Sequence, residues 1–300
     1  MAPPRLSVVT PSYNQVEYLR DNLDSVERQR YDDVEHLVLD GGSDDGSADV
    51  TESYADRVDY DVTWRSEADD GQSAAINEGF ERASGEIVGW LNSDDVYFDT
   101  RVFDRVVEAF ERTGADVIYG DLAYVDGRSR VTEIDVRPEF DRSKLAYRIL
   151  IGQPATFFRA EVVKEHQLDT SLQFCMDYEF WLRISAEFDV HHVRDVFAGF
   201  RRHEAQKTDD MSATSAVSRE TEAMLERYRG SLPENRGNVV VENATTELGR
   251  VAASLRETVR LHRHQPELAF DGSFAPLSEM LLNVGPGMHD VQKAWRRYRS

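Results

Sequence analysis

Residues 89–95 read Gly-Trp-Leu-Asn-Ser-Asp-Asp, an apolar strand-like run that ends in two adjacent carboxylates, Asp94 and Asp95. Removing an isolated charge from water is costly, so neither carboxylate is expected to be buried without a cation to compensate it. Oxygen ligands at this density suit Mg²⁺ or Mn²⁺, which often bind through one or two carboxylates and the phosphates of a substrate. The alternative is a helix N-terminus that one of the two aspartates caps. The segment alone is compatible with both interpretations.

Strands and helices alternate along the first half of the chain. Helical spacing of apolar residues predicts a helix after most of the strands. Strands are predicted at residues 6–10, 36–39, 62–64, 87–91 and 117–119. This alternation is typical of parallel βαβ units in which helices cover both faces of the sheet. Ligands of such sheets bind beyond the carboxyl ends of the strands, where polar clusters occur at residues 10–14, 40–45 and 92–95.

Length and composition indicate a soluble globular protein. The 300 residues are 40% hydrophobic and 30% charged, which is enough for a substantial core and too apolar for a disordered chain. The only cysteine, Cys175, cannot form an internal disulfide, and we expect it to be a packing residue. No apolar run approaches the roughly 18 residues of a membrane helix, and no signal-peptide pattern follows the start. We therefore expect a cytoplasmic protein.

The charge balance is strongly acidic. Fifty-six acidic and 35 basic residues give a formal net charge of −21, which argues against a general nucleic-acid surface. Lysine occurs only at positions 144, 164, 207 and 293. Acidic excess with little lysine resembles proteins of salt-loving microbes, in which about 1 M salt shortens the screening length to roughly 3 Å. We therefore predict a halophilic source; the alternative is an ordinary acidic protein.

The character of the chain changes in its second half. The regular alternation is lost from about residue 131, and helices rich in Glu and Arg follow Met211. We predict one domain over residues 1–212 and a small helical appendage over residues 213–300. The basic and aromatic segment at residues 293–300 could touch a membrane surface, which would suit a lipid-linked acceptor; a solvated helix end is the alternative.

Four motifs, in this order and spacing, resemble glycosyltransferase family 2. They are Val-Thr-Pro-Ser-Tyr-Asn at 9–14, Leu-Asp-Gly-Gly-Ser-Asp-Asp-Gly-Ser at 39–47, the stretch from Ser66 to Gly79, and Leu-Asn-Ser-Asp-Asp at 91–95. The resemblance covers about residues 5–210. It implies a GT-A-type α/β fold, with a mostly parallel central sheet flanked by helices.

The resemblance also implies an activity. It points to an inverting, metal-dependent transfer of a sugar from a nucleoside-diphosphate donor, commonly a UDP-sugar, to an acceptor hydroxyl. A glycan or a lipid-linked acceptor is expected, in glycan or glycolipid synthesis.

The same resemblance assigns donor-binding residues. Tyr13 would lie against the base and Asp40 would hydrogen-bond the polar edge of the base. The alternatives are a packed aromatic residue for Tyr13 and a turn residue bonding its own backbone for Asp40. The full set of nucleotide-sugar contacts implied is Thr10, Tyr13, Asp40, Arg65, Asp70, Asn77, Asn92 and Ser93.

Metal ligands and a base are implied as well. Asn92 stands where the family has an acid, which makes Asp94 the principal expected ligand of Mn²⁺ or Mg²⁺, with Asp95 and His203 as further ligands. Asp177 matches the family's general base, and Glu179 is the fallback; alternatively, Asp177 caps the helix that follows it. Cationic side chains near His203 could pair with phosphate oxygens, namely Arg201, Arg202 and Lys207.

Two other functions remain open from the sequence. A sugar nucleotidylyltransferase also has a βαβ nucleotide domain, but it usually carries a glycine-rich basic loop after the first strand, and residues 10–14 are not of that kind. A non-catalytic binding module with the same fold is the second alternative, because Asn92 and Ala74 depart from the stricter family pattern.

The acidic composition leads to a stability prediction. If the protein is adapted to salt, the free energy of unfolding should be higher in molar KCl than in dilute buffer, because screening weakens the repulsion between carboxylates. Urea denaturation at several KCl concentrations measures this directly. Maximal stability in dilute buffer would refute the halophile interpretation.

Overall fold

The computed structural model describes residues 4–203, 211–228, 230–233 and 239–284. The strands are β1 (Leu6–Ser12), β2 (Val34–Asp40), β3 (Asp61–Ser66), β4 (Ile87–Trp90), β5 (Val96–Tyr97), β6 (Val117–Asp126), β7 (Arg130–Asp135), β8 (Thr156–Arg159), β9 (Val190–Arg202) and β10 (Ser273–Phe274). The α-helices are α1 (Val16–Glu27), α2 (Ser47–Ala55), α3 (Gln72–Arg82), α4 (Val102–Thr113), α5 (Ala160–Glu165), α6 (Met176–Ile184), α7 (Met211–Tyr228), α8 (Val239–His264) and α9 (Leu277–Asn283).

The strands form one sheet whose order places the site. The main path runs β10-β7-β6-β8-β4-β1-β2-β3, and β9 pairs with both β5 and β6. The chain moves from β1 outward to β2 and β3, and then returns to β4 on the other side of β1. β1, β2, β3 and β4 pair in parallel, so they end at the same edge of the sheet. The reversal beside β1 creates the crevice in which ligands of open α/β sheets bind.

The second half of the sheet is mixed. β8 is antiparallel to both β4 and β6, and β7 is antiparallel to β6. β7, β8 and the two-residue strands β5 and β10 were not predicted, because short apolar segments broken by Gly and Pro carry little periodic signal. β9 runs parallel to β6.

Apolar side chains pack on both faces of the sheet. Neighbouring residues of β8 point to opposite faces, so Phe157 joins one core cluster and Phe158 the other. Phe158 stacks on Trp181 of α6 with ring centroids 5.8 Å apart. Both side chains are fully buried, and burial of such a side chain stabilises the fold by roughly 1.5–3 kcal/mol. α6 is thereby anchored to the sheet.

α3 approaches β1 closely. Gly79 faces Val9, and a Cβ built on this glycine would lie 2.2 Å from Val9 Cγ1. Only a residue without a side chain allows this separation between helix and strand. The close contact sets the position of α3 relative to the end of β1.

The C-terminal segment adds to the same core. Leu261, Phe270, Ala275 and Met280 are buried in the cluster that contains β6 and β7, and β10 pairs in parallel with β7. The division at residue 212 remains a prediction, but the described part of 213–300 contributes to the cores of the sheet. Residues 293–300 lie outside the described part of the chain. Within the described part, no helix has the length and hydropathy needed to cross a bilayer.

Candidate functional site

The loops after β1 and β2 are fastened to each other. The backbone N–H of Asn14 donates to Ser43 Oγ (2.7 Å), and Asn14 Oδ1 accepts from the backbone of Asp44 (3.1 Å). Asn14 adopts a left-handed conformation with φ 51°, which asparagine tolerates better than most residues. Tyr13 precedes it and is 63% exposed. The turn therefore presents an aromatic face to solvent at the carboxyl edge of the sheet, where a base could stack on it.

Asp40 is occupied by its own turn. Its carboxylate accepts hydrogen bonds from the backbone N–H groups of Gly42 (3.2 Å) and Ser43 (2.9 Å), and from the hydroxyls of Ser43 (2.5 Å) and Ser66 (2.6 Å). The side chain is 1% exposed. These contacts are those of the turn residue that the sequence offered as the alternative, and a contact between Asp40 and the base stays a prediction.

Arg65 fastens the loop that follows β3. It donates to the backbone carbonyls of Asp40 (2.9 Å) and Glu67 (3.0 Å), and to the carboxylates of Glu78 (2.8 Å) and Asp69 (3.3 Å). All of these partners belong to the protein. The guanidinium therefore supports the donor region from within, which differs from the direct sugar contact expected for it.

Asp69, which the sequence reasoning did not single out, faces the base region. A Cβ on Gly41 would lie 3.3 Å from Tyr13 Cδ2 and 3.4 Å from both Asp69 carboxylate oxygens. Gly41, Tyr13 and Asp69 therefore surround one small space. Asp70 is exposed and lines an adjoining cavity of about 240 Å³ together with Asp69 and Arg65. The acidic pair at residues 69 and 70 was the signal available in the sequence.

Thr10 and Asn77 act in the interior. The Thr10 hydroxyl is fully buried against His36 Nε2 (2.9 Å). Burial lowers the pKa of His36 to about 3, so that imidazole is neutral. Asn77 exchanges two hydrogen bonds with the backbone of Leu168 (2.8 and 3.0 Å). Both side chains hold neighbouring segments in place, and neither presents a free polar group to a donor.

Asn92 occupies the centre of a side-chain network. Its Oδ1 accepts from Trp90 Nε1 (2.9 Å) and Gln72 Nε2 (3.1 Å), and its Nδ2 donates to Gln153 Oε1 (3.0 Å). Asn92 remains partly exposed, whereas Ser93 is buried. The amide fixes the start of the loop at residues 92–95 and leaves one face at the crevice.

Asp94 and His203 meet although 109 residues separate them. Asp94 Oδ2 lies 3.1 Å from His203 Nε2. The imidazole is 4% exposed and packs on the ring of Tyr18 with centroids 4.5 Å apart. Ligands at adjacent corners of an octahedron with bonds of about 2.1 Å are about 3 Å apart, so the spacing fits two ligands of one divalent cation. Among the described residues, no third His, Cys, Asp or Glu completes such a site.

Asp95 is buried next to this pair. It is 1% exposed, and its Oδ1 accepts from the backbone N–H of Arg201 (2.9 Å). Its Oδ2 is buried without a hydrogen-bond partner. Burial, with a smaller contribution from the charge of Asp94, holds the pKa of Asp95 well above its usual range. Both oxygens are enclosed by protein in this structure, and the role of Asp95 as a metal ligand stays a prediction.

Arg201 supports the loop at residues 92–95 from the protein interior. Its side chain is 1% exposed and donates to the carbonyl oxygen of Asp94 (2.9 Å), the carbonyl oxygen of Asp126 (3.1 Å) and Asp21 Oδ2 (2.8 Å). It also lies over the ring of Tyr18 at 4.9 Å. A guanidinium enclosed in this way does not reach a phosphate, which corrects the pairing expected for Arg201.

Asn22 is a second support that the sequence did not reveal. Its fully buried amide donates to the carbonyl oxygens of Asn92 (2.8 Å) and Asp95 (2.9 Å), and so spans both ends of the 92–95 loop. The available signal was its place on α1 beside Leu19, Leu23 and Val26, the face that the helical spacing predicts to be buried.

Asp177 is a partly exposed carboxylate at the start of α6. The helix begins at Met176 with Cys175 as its N-cap, and Asp177 Oδ1 accepts the N–H of the next residue, Tyr178 (2.7 Å). Surrounding protein raises the pKa of Asp177 to about 6. The side chain is therefore not the N-cap, and it is a carboxylate that accepts a proton more readily than a solvated aspartate does.

The other acidic and basic candidates of this region have protein partners. Glu179 is 1% exposed and bonded to Arg183 (2.9 Å) and to the Tyr228 hydroxyl, so it is not an available base. Arg202 is half exposed, pairs with Glu133 (3.1 Å) and lies over the Tyr124 ring. Lys207 lies outside the described residues.

The N-terminus of α3 contacts both the loop at residues 92–95 and the start of α6. Gln72 donates to Asn92, and Ser73 Oγ lies 2.8 Å from Met176 Sδ. The 92–95 loop and the start of α6 therefore border the same helix end. Tyr13 and Asp94 follow the parallel neighbours β1 and β4, so both lie at the edge of the sheet where the chain reverses beside β1.

Comparisons with known proteins bear on the family and the fold of the chain. The model described as glycosyl transferase family 2 matches residues 7–208. An uncharacterised glycosyltransferase of Rickettsia typhi is 27% identical over 220 residues, which are 69% of this chain and 66% of the relative. The chain thus spans just under two thirds of that relative.

Two solved structures share the fold. The mannosyltransferase PcManGT from Pyrobaculum calidifontis, in complex with GDP-Man and Mn²⁺, has a TM-score of 0.59 at 15% identity, covering 98% of this chain and 83% of its own. S. aureus TarS 1–349 in complex with UDP-GlcNAc has a TM-score of 0.57 at 16% identity, covering 75% of this chain and 71% of its own. These similarities confirm the predicted α/β architecture of the GT-A type.

The buried contacts of Arg201 predict that its loss lowers the free energy of unfolding. Arg201→Met should lower the free energy of unfolding by about 3–5 kcal/mol, because it leaves Asp21 without its buried partner. Arg202→Met removes a half-exposed guanidinium and should cost about 1 kcal/mol or less. Urea denaturation of the two variants measures the difference. Equal losses would contradict the interior role assigned to Arg201.

Proposed function

The chain belongs to glycosyl transferase family 2, and we propose that it transfers a sugar from a nucleoside-diphosphate donor to an acceptor hydroxyl, with inversion and with the help of a divalent cation. The observation that carries this proposal is the Asp94–His203 pair, whose 3.1 Å spacing fits a cation at the reversal point of the sheet. The exposed Tyr13 ring and the partly exposed carboxylate of Asp177 would complete the site.

Donor binding would use the exposed groups of the crevice. Tyr13 offers a face for base stacking, which is tolerant of base identity. The Asp69 carboxylate and the Tyr13 ring flank the same small space beside Gly41. Asp69 would accept a hydrogen bond from a ring N–H of the base. Asp70 and the partly exposed Asn92 are placed for hydroxyls of the ribose or the sugar. The buried Asp40, Arg65, Thr10 and Asn77 would keep these groups in position.

Asp94 and His203 would hold Mn²⁺ or Mg²⁺, with the remaining ligands supplied by the diphosphate and water. A bound cation neutralises the charge that develops on the diphosphate as it leaves. Tyr18, packed on the imidazole, limits rotation of His203 and so keeps Nε2 directed at Asp94. Asp95, buried beneath the pair, would add to the negative potential that attracts the cation whenever it is ionised.

Asp177 would act as the general base. As the acceptor oxygen forms a bond to the anomeric carbon, the bond from that carbon to the diphosphate oxygen breaks, and the acceptor proton passes to a carboxylate oxygen of Asp177. One displacement from the face opposite the leaving group inverts the anomeric centre. A pKa of about 6 makes this carboxylate largely ionised at neutral pH and still a stronger base than a solvated aspartate.

The identities of donor and acceptor belong to this proposal too. One structural neighbour was solved with UDP-GlcNAc and another with GDP-Man, so both nucleotides are reasonable first probes. A UDP-sugar and a glycan or lipid-linked acceptor remain our predictions. Family membership favours transfer over the nucleotidylyltransferase alternative, and a catalytic assay separates it from a non-catalytic binding module.

Three expectations about the setting of the protein stay as predictions. These are a cytoplasmic location, a peripheral membrane contact through residues 293–300 and a halophilic source. The relatives found give no support to the halophilic source, which depends on composition alone.

Replacement of the base should separate chemistry from binding. Asp177→Asn should lower kcat by about 10²- to 10⁴-fold while the affinity for the donor stays near that of the wild type, because the base contributes only to the chemical step. In the wild type, kcat should fall tenfold per pH unit below about pH 6, where Asp177 is protonated. Initial rates between pH 4.5 and 8 test both statements. Near-normal turnover by the variant would exclude Asp177 as the base.

Loss of a metal ligand should be visible without any turnover. We expect UDP or GDP to stabilise the protein against heat more strongly with Mn²⁺ than with EDTA. Asp94→Asn and His203→Ala should each weaken Mn²⁺-dependent nucleotide binding by roughly 10- to 100-fold or more. Asp49→Asn, on the exposed face of α2, is the matched control and should behave as the wild type. Equal Mn²⁺ dependence in all variants would refute the cation site.

A further inference from the structure

Glu220 on α7 binds the loop that leads into α6. Its carboxylate accepts hydrogen bonds from three consecutive backbone N–H groups, those of Gln173 (3.1 Å), Phe174 (2.8 Å) and Cys175 (2.8 Å). These hydrogen bonds hold the pKa of Glu220 below its usual range despite partial burial, so the side chain remains charged. Asp177 follows two residues after Cys175. The family match ends at residue 208, so this support comes from outside it.

The position of this carboxylate has a physical reason. The N-cap of α6, Cys175, supplies no side-chain hydrogen bond to the helix end. Unsatisfied backbone donors and the partial positive charge of a helix N-terminus both favour an anion there. Glu220 supplies that anion from a different helix. A charged acceptor shared by three amide donors holds a loop more firmly than neutral hydrogen bonds do.

α7 makes further contacts on the same side of the protein. Thr221 Oγ1 lies 3.4 Å from Cys175 Sγ, the Tyr228 hydroxyl bonds Glu179 of α6, and Arg227 pairs with Asp169 (3.3 Å). Met224 is 4% exposed within the core cluster that contains α6. The contacts therefore extend over more than two turns of α7, and those of Glu220 are with the backbone of the loop that leads into α6.

We propose that α7 positions the general base, and that Glu220 is the residue through which it does so. This inference rests on the proposed function, because it takes Asp177 as the base. The groups that would bind the donor and its cation follow β1, β3, β4 and β9, whereas the hydrogen bonds of Glu220 to the described residues go to the loop before α6. Loosening this loop should therefore reduce kcat and leave the KM for the donor unchanged.

The test compares Glu220→Gln with Glu222→Gln, an exposed position on the same helix. A glutamine has nearly the same size, but it has no charge and its NH₂ group would face backbone donors. We expect Glu220→Gln to lower kcat by roughly 10- to 100-fold at constant donor KM, since small displacements of a reacting group are that costly. Glu222→Gln should match the wild type in both parameters.

The single cysteine provides a readout that needs no turnover. Cys175 is 4% exposed within the loop that Glu220 holds, and it is the only thiol of the chain. Its rate of labelling by a maleimide under native conditions should rise about tenfold or more in Glu220→Gln and stay unchanged in Glu222→Gln. Glu220→Asp, which keeps the charge on a shorter side chain, should give intermediate labelling and intermediate kcat.

The outcomes separate the two proposals. Faster labelling with reduced kcat and constant KM supports positioning by Glu220. Wild-type labelling and kcat in Glu220→Gln would overturn it, and so would a KM that rises in proportion to the loss of kcat. If Glu220→Gln does not fold, Glu220→Asp decides by the same two measurements. A wild-type protein that transfers no sugar would refute the proposed function, whereas the labelling experiment would still show whether Glu220 holds the loop.

Discussion

Arg201 carries a positive charge into the interior, and the shape of the 92–95 loop depends on it. Enclosing a guanidinium costs several kcal/mol unless its donors are satisfied. Here they are satisfied by Asp21, by the carbonyl oxygens of Asp94 and Asp126, and by the ring face of Tyr18. Because two of these acceptors are backbone groups, the charge holds the main chain in place. The end of β9 also places His203 beside Asp94. One segment therefore supplies both the supporting Arg201 and a candidate metal ligand, His203.

Buried and exposed polar groups around the crevice have different roles. Asn22, Asp40 and Arg65 direct their hydrogen bonds to loop backbone and neighbouring side chains, and they leave no strong donor or acceptor for a ligand. Tyr13, Asp69 and Asp94 project from the loops that these residues hold. Such an arrangement gives precise placement without regular secondary structure at the site itself. It also explains how a chain with a large negative charge keeps several carboxylates close together, since the buried Asp40 has its own donors and burial raises the pKa of Asp95.

The sequence predicts the strand framework better than the roles of individual polar residues. The strands predicted at residues 6–10, 36–39 and 87–91 coincide with β1, β2 and β4, and the resemblance to a known family brought Asp94 and His203 together across 109 residues. Asp40, Asn77 and Arg201 have protein partners that the sequence did not reveal, because a polar residue near a strand end gives no sign of whether it faces a ligand or the loop beneath. Asn22 and Glu220 were missed for a related reason. Each side chain hydrogen-bonds to backbone groups that are far away in the sequence. Every residue type offers the same backbone groups, so such partners cannot be recognised from the sequence pattern.

The absence of a side chain at Gly41 leaves the identity of the base open to change. Its φ is not in the left-handed region, so other residues could be accommodated there without backbone strain. A Cβ at this position would touch both Tyr13 and Asp69, and any longer group would enter the space between them. A single substitution at Gly41 would therefore change the size or the charge of the proposed space for the base. The strands and the Asp94–His203 pair would stay as they are. Donor choice would then evolve independently of catalytic competence, and related enzymes could diversify their glycans from a common scaffold.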